Sequence, residues 1–300
     1  MSAQISPAWT GLIHDVTAAD GPGPTVDLDT ATAAHRAARQ TGAGALLGAF
    51  VAPDDALPLL RGLEAPVFVK LTGGAGQVAG PAALATRNGI PLAGLELVLR
   101  DVANLAGNVR RVVAAVDAAR GEGVLDEDVP VHVEIPVDEP SIPWGQPSGT
   151  WLHAADEVAA AELRWTLRLG GTHADRFAAA PALAAMVEAA LDRETPLRIA
   201  GAEARAITHQ VETADAAATA FGFANTLLAV RRAFDGAGVD AVSETLLETS
   251  PETLSRWLAE EEFLGATRRW LTGWAARPGT DLSTSLGRAV DDLRALGQWS

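Results

Sequence analysis

Residues 163–169 alternate without exception, with Leu163, Trp165, Leu167 and Leu169 on one parity and Arg164, Thr166 and Arg168 on the other. A period of two is the signature of a strand. It also poses the question that constrains the fold most: where the arginines go. In an open surface sheet they face water, whereas in a closed barrel they turn inward.

The rest of the chain selects the barrel. Apolar runs at 45–51, 67–72, 95–101, 131–136 and 197–201 read as strands, with a short, weak candidate at 12–16. Helices are expected at about 29–40 (capped by Asp29), at 54–61, 81–88, 105–120 and 151–162, and at 181–191 with Pro181 in the first turn. A long helix is expected over 214–234, with Phe223, Leu227, Val230 and Phe234 as its buried stripe. Val239, Val242 and Leu246 stand at helical spacing, and Ser250-Pro251-Glu252 starts a helix carrying Trp257, Phe263, Trp270 and Trp274. The last strand then falls at 280–286, or alternatively at 239–247, before a closing helix at 288–296.

Strand and helix thus alternate about eight times, which means a parallel sheet with helical crossovers. Eight units in 300 residues, with no repeat and no break, predict an α/β fold: one (β/α)8 TIM-like barrel domain over 1–300. It would carry an irregular loop at 139–149, rich in Pro, Gly and Ser, and a helical insertion around 240–275. An open doubly wound sheet is disfavoured because no Gly-x-Gly-x-x-Gly follows the first strand.

Composition narrows the function classes. A net charge of −15 argues against nucleic acid or an anionic membrane as partner. The absence of cysteine excludes disulfides, thiolate nucleophiles and thiolate metal sites. No apolar run reaches the ~18 residues that span a bilayer. The first residues lack the basic start and apolar core of a signal peptide, so a cytoplasmic location is expected. The basic residues are 22 arginines and a single lysine, Lys70.

If the helix-facing side of each strand is apolar, the other parity lines the barrel. That set is Phe68, Lys70 and Thr72; Glu96, Val98 and Arg100; His132 and Glu134; Arg164, Thr166 and Arg168; and Arg198 and Ala200. Lys70, Arg100, Glu134 and Arg168 lie nearest the C-terminal ends, where barrels gather function, with Asp101, Asp138 and Glu203 just beyond. Two explanations compete. One is an internal ion-pair network, since a buried unpaired charge costs several kcal/mol. The other is a site for a small carboxylate or phosphate, since five cations face only two carboxylates in a protein that is otherwise acidic.

Lys70 could form a Schiff base or act as a charge clamp. Glu96, His132, Glu134 and Asp101 could supply metal ligands, although no spaced motif supports a metal and none implies a cofactor. His14-Asp15, His173 and His209 are acid–base candidates at strand ends, His173 having glycines beside it in Gly170-Gly171-Thr172-His173. His35 and His153 read as surface residues on helices. Ser283-Thr284-Ser285-Leu286-Gly287 could cradle an anion at a helix N-terminus, or serve as an ordinary cap. Asn225, in an apolar helix, either ties down a loop or touches a ligand. Trp257, Trp270 and Trp274 suggest helix packing or a homo-oligomer surface.

Three segments, Leu167-Arg168-Leu169-Gly170-Gly171, Phe221-Gly222-Phe223-Ala224-Asn225 and Val290-Asp291-Asp292-Leu293-Arg294-Ala295-Leu296-Gly297, resemble in order and spacing an uncharacterised family of barrel-like proteins of high-GC bacteria. The resemblance implies no activity. It does imply Arg168, Gly170, Gly171 and Asn225 as site residues. The chain departs from the family pattern at Gly201-Ala202-Glu203-Ala204-Arg205, where the family has a histidine pair, and at Phe221, where it has a histidine. Ser283-Thr284-Ser285 matches the family's serine turn only loosely.

The sequence therefore supports an enzyme of lyase or isomerase type acting on a small anionic metabolite. Lys70, Glu134 and His173 would be its catalytic groups, and Arg100, Arg168, Gly170, Gly171, Asn225, Ser283 and Ser285 its binding groups. The alternative is a catalytically decayed barrel that serves as a binding or accessory protein.

Overall fold

A computed structural model describes residues 5–18, 26–136, 147–171, 173–277 and 281–299. Asp138, Thr172, most of the 139–149 loop and the start of the expected strand at 280–286 lie outside them.

Eight parallel strands close into a barrel. They are β1 (Ile13–Asp15), β2 (Leu47–Pro53), β3 (Val67–Leu71), β4 (Leu92–Val98), β5 (Val131–Glu134), β6 (Arg164–Arg168), β7 (Leu197–Glu203) and β10 (Leu271–Arg277), in the order β1-β10-β7-β6-β5-β4-β3-β2. A two-stranded antiparallel hairpin, β8 (His209–Glu212) and β9 (Ala217–Ala220), follows β7. The outer layer comprises α1 (Leu28–Arg39), α2 (Ala79–Arg87), α3 (Leu105–Gly121), α4 (Gly149–Ala160), α5 (Ala180–Asp192), α6 (Phe223–Phe234), α7 (Val239–Leu247), α8 (Pro251–Glu260) and α9 (Leu282–Ala295). The protein is a (β/α)8 barrel. Among the described residues no helix is long and apolar enough to cross a membrane.

Strand parity sorts the side chains into two cores. Leu163, Trp165 and Leu167 join the large cluster between strands and helices, while Val16, Ala49, Val51, Phe68, Ala200 and Ala275 form a small one inside the barrel. Glycines make room there for inward rings. A Cβ on Gly273 of β10 would stand 2.5 Å from the His14 ring, one on Gly48 of β2 2.9 Å from the same ring, and one on Gly94 of β4 2.6 Å from Phe68.

Several expected elements differ. The last strand is 271–277, in neither expected place: its pairing with β7 slips between Leu271 and Gly273, which breaks the alternation a sequence reader looks for. Trp257, Trp270 and Trp274 therefore do not share a helix. Trp274 is fully buried in β10 and its indole N–H donates to the Glu203 carbonyl at 2.8 Å; Trp257 and Trp270 are half-buried, stacked against Arg232 and Arg269. Nothing in this arrangement supports an oligomer surface built on the three.

The helix expected from 214 begins only at Phe223, because the alanine-rich chain before it forms the hairpin. Thr213 hydrogen-bonds across its turn to the Ala216 carbonyl and the Asp215 carboxylate. Residues 54–59 are a 3-10 turn, as Pro58 cannot donate within a longer helix. The cap of α1 is Asp27, not Asp29. His35 is fully buried, its Nδ1 2.9 Å from an Asp15 carboxylate oxygen. His153 is exposed.

Candidate functional site

The inward positions of neighbouring strands stand in register: Lys70 beside Glu96, Glu96 beside His132, and Glu134 beside Thr166. This alignment builds a polar network along the barrel axis with Glu96 at its centre. The Glu96 carboxylate, nearly inaccessible, accepts from Arg198 Nη1 and from the Thr166 hydroxyl at 3.3 Å. Lys70 Nζ lies 3.9 Å and Arg168 Nη2 3.8 Å from its other oxygen. Arg168 also grips Glu134 with two parallel bonds of 2.8 Å, from Nε and Nη2. Gly201 on β7 lets it lie there, since a Cβ would come within 3.3 Å of Arg168 Cγ.

Lys70 and Arg168 are 17% and 30% exposed, against 1% for Arg198. The network therefore opens toward the C-terminal ends of the strands and is sealed below. Arg198 donates through Nε to His14 Nδ1 at 3.1 Å and stacks 4.0 Å over Phe68. Burial, reinforced by Arg198, holds the His14 and His132 imidazoles well below the ordinary 6.5, so both are neutral.

At the rim, Arg100 is exposed, beyond the end of β4, and donates to the Thr72 carbonyl. Glu203 at the end of β7 accepts from His209 Nε2 at 3.3 Å, and this hydrogen bond is the main reason its carboxyl sits below the usual range, against the opposing effect of burial. His209 Nδ1 faces the Ile207 carbonyl at 3.1 Å. The sequence gives no sign of this carboxylate–imidazole pair, because the hairpin's second strand, β9, falls within the helix expected from 214, which leaves His209 without a return path to Glu203.

The structure thus brings together Lys70, Glu134 and Arg168, and adds Glu96 and Arg198. It leaves the other candidates elsewhere. His173 is exposed, 3.8 Å from Asp215 of the hairpin turn, and no contact among the described residues joins it to Glu96 or Glu134.

Gly170 has φ +113°, and a Cβ there would meet the Gly201 carbonyl at 2.8 Å; a Cβ on Gly171 would meet the Arg176 side chain at 2.9 Å. Both glycines therefore serve chain packing. Asn225 is fully buried: its carbonyl accepts from Thr208 N at 3.0 Å, and its amide donates to the Thr245 and Glu248 carbonyls at 2.9 and 2.8 Å. It ties the loop at Thr208 to the C-terminal end of α7, the loop-fastening role rather than the ligand contact.

Ser283 and Ser285 lie in the first turn of α9, Ser285 buried. The N-terminus of that helix already holds the Asp281 carboxylate, bound by Thr284 N at 2.8 Å and the Thr284 hydroxyl at 2.7 Å and kept ionised by them. The expected anion cradle is filled by the chain itself.

The proposed metal set is not assembled either. Arginines hold Glu96 and Glu134, His132 Nδ1 turns to the Trp165 carbonyl at 3.2 Å, and Asp101 pairs with Arg111. No group of three metal-ligating side chains converges among the described residues. Asp292, in the C-terminal segment, binds Arg205 with two bonds of 2.8 and 3.0 Å and caps Ala206 N, a role in closing the barrel.

No family model matches the chain, and no curated protein does. Solved structures with a similar course of chain include an archaeal fructose-1,6-bisphosphate aldolase with its catalytic lysine bound to a carbinolamine intermediate (11% identity, 97% of this chain and 96% of that one, TM-score 0.48). Others are a putative deoxyribose-phosphate aldolase from Toxoplasma gondii ME49 (11% identity, 98% and 94%, TM-score 0.48) and a GH18 chitinase from Pseudoalteromonas aurantia (12% identity, 82% and 80%, TM-score 0.38). The barrel assignment rests on the closed strand order, not on these likenesses.

Proposed function

We propose that the protein is an enzyme of lyase or isomerase type that acts on a small anionic metabolite at the C-terminal mouth of the barrel. The observation that carries this reading is the juxtaposition of the chain's one lysine with Glu96, Glu134 and Arg168 where the barrel opens. Arg168, with Arg100 at the rim, would hold the anionic group of the substrate. Lys70 would take up the negative charge that develops on a substrate carbonyl oxygen when an adjoining C–H or C–C bond breaks. Glu134, held by Arg168 at 2.8 Å, is the carboxylate placed to move the proton, with Glu96 beneath it fixing the Lys70 ammonium.

A second reading, a barrel that binds without catalysing, is favoured by one observation: the carboxylates of the network already have cationic partners. The two separate in heavy water. Carbonyl metabolites bearing a carboxylate or phosphate are incubated with the protein, and exchange of the proton next to the carbonyl is followed by NMR. The enzyme reading predicts exchange with at least one compound, lost in Lys70→Met. Binding without exchange across the panel would favour the accessory reading.

A further inference from the structure

The opposite end of the barrel holds a cavity of about 260 Å³. Gly48 and Ala93 are second in β2 and β4, Pro66 and Pro130 immediately precede β3 and β5, Arg164 is first in β6 and Thr272 second in β10. All strands being parallel, these residues mark the N-terminal face, away from Lys70 and Glu134. Phe68, His14 and His132 complete its lining, each largely buried.

We propose that this cavity is a binding site for a small organic carboxylate, anchored by Arg164. Arg164 is half-buried, lines the cavity and, among the described residues, has neither an ion pair nor a hydrogen bond. No acidic residue lines the cavity with it.

A second arginine enforces the positive field. Arg268, close enough to His14 to depress its protonation, spends its donors on four backbone carbonyls, those of Ala8, Thr10, Leu271 and Thr272, at 3.1–3.2 Å. Burial without a carboxylate lowers it to about 10. A positive, desolvated end in a chain of net charge −15 favours an anion of small size. The volume falls below the ~300–1,000 Å³ of ordinary drug-sized pockets.

The histidines set the ligand's other features. His14 Nδ1 accepts from Arg198, so its Nε2 carries the proton and is a donor. His132 Nδ1 donates to the Trp165 carbonyl, so its Nε2 is an acceptor. A carboxylate with a neighbouring hydroxyl satisfies all three: guanidinium and His14 N–H on the carboxylate, hydroxyl on His132. The Gly, Ala and Pro walls suit a short apolar remainder.

The test compares lactate with propionate, which lacks the hydroxyl. Histidine ring resonances are followed by NMR during each titration, on the intact protein and on Arg164→Gln. Melting temperature reports folding, and Ala93→Leu, which fills the cavity and leaves Arg164 in place, is a second variant. The proposal predicts saturable shifts of the His14 and His132 rings with lactate, at least tenfold weaker binding of propionate, and at least tenfold weaker lactate binding in either variant. It is overturned if neither acid gives a saturable shift at these rings, or if lactate binds Arg164→Gln as tightly as the parent. Equal affinity for the two acids would overturn the hydroxyl contact.

Discussion

Neutralising Glu96 is the perturbation with the largest calculable effect. Its carboxylate pairs with Arg198, which is 1% exposed, and it also faces Lys70 at 3.9 Å and Arg168 at 3.8 Å. At an effective dielectric near 20, each of the latter two attractions is worth about 4 kcal/mol gross. Removing the charge also removes the cost of desolvating it, so the gross values do not carry over. What does carry over is Arg198, buried and deprived of the Glu96 charge, and breaking one side of such a pair costs about 3–5 kcal/mol. At roughly 2–3 °C per kcal/mol for a chain of this size, Glu96→Gln lowers the melting temperature by about 6–15 °C.

Urea unfolding monitored by tryptophan fluorescence gives the free energy directly. The second arm is Glu96→Gln with Arg198→Met, which removes both charges and keeps an unbranched side chain over Phe68. Replacing a buried pair by apolar groups is often close to neutral, so the double variant recovers most of the loss. A single variant within 1 kcal/mol of the parent, or a double variant as unstable as the two losses added, would refute the network as described.

Three further outcomes follow from the same contacts. His14 and His132 are held neutral in the fold while an unfolded chain protonates near 6.5, so below that pH the unfolded state binds more protons. Stability is then unaffected above about pH 6.5 and falls below it by up to about 1.4 kcal/mol per pH unit per histidine; a flat profile from pH 7.5 to 5 would contradict neutral burial. Asn225→Ala strands the Thr208 N–H and two carbonyls, costing about 3 kcal/mol in urea unfolding while leaving anion affinity unchanged; a large loss of affinity in a folded variant would restore it to the site. Gly170→Ala, at φ +113° and against the Gly201 carbonyl, destabilises by about 1–3 kcal/mol in the same assay.

The barrel was legible because parity is a physical constraint: Leu163, Trp165 and Leu167 had to face helices, which turned Arg164, Thr166 and Arg168 inward. The same rule placed Lys70, Glu96, His132, Glu134 and Arg198 inside. What parity could not reveal was partnership. Glu96 became the centre because three strands bring it Lys70, Arg198 and Arg168, a fact of closure and stagger.

Local pattern failed where tertiary packing overrode it. The slip in β10 hid a strand behind tryptophans at helical spacing, and the alanine-rich second strand of the hairpin fell inside a helical pattern. Buried polar residues misled for a related reason. His35 reads as exposed, and Asn225 stays open between fastening a loop and touching a ligand, because their partners, Asp15, Thr208, Thr245 and Glu248, are supplied by other elements.

The account turns on Lys70 lying in an anion-binding mouth, and its being the one lysine makes a clean measurement possible. Protein labelled with carbon-13 lysine is titrated with small carboxylates and phosphates, and the single side-chain signal is followed. The account predicts a saturable shift with at least one class of anion, weakened tenfold or more by Arg168→Gln. A signal unmoved by every anion would show that the charges at the C-terminal mouth serve only one another.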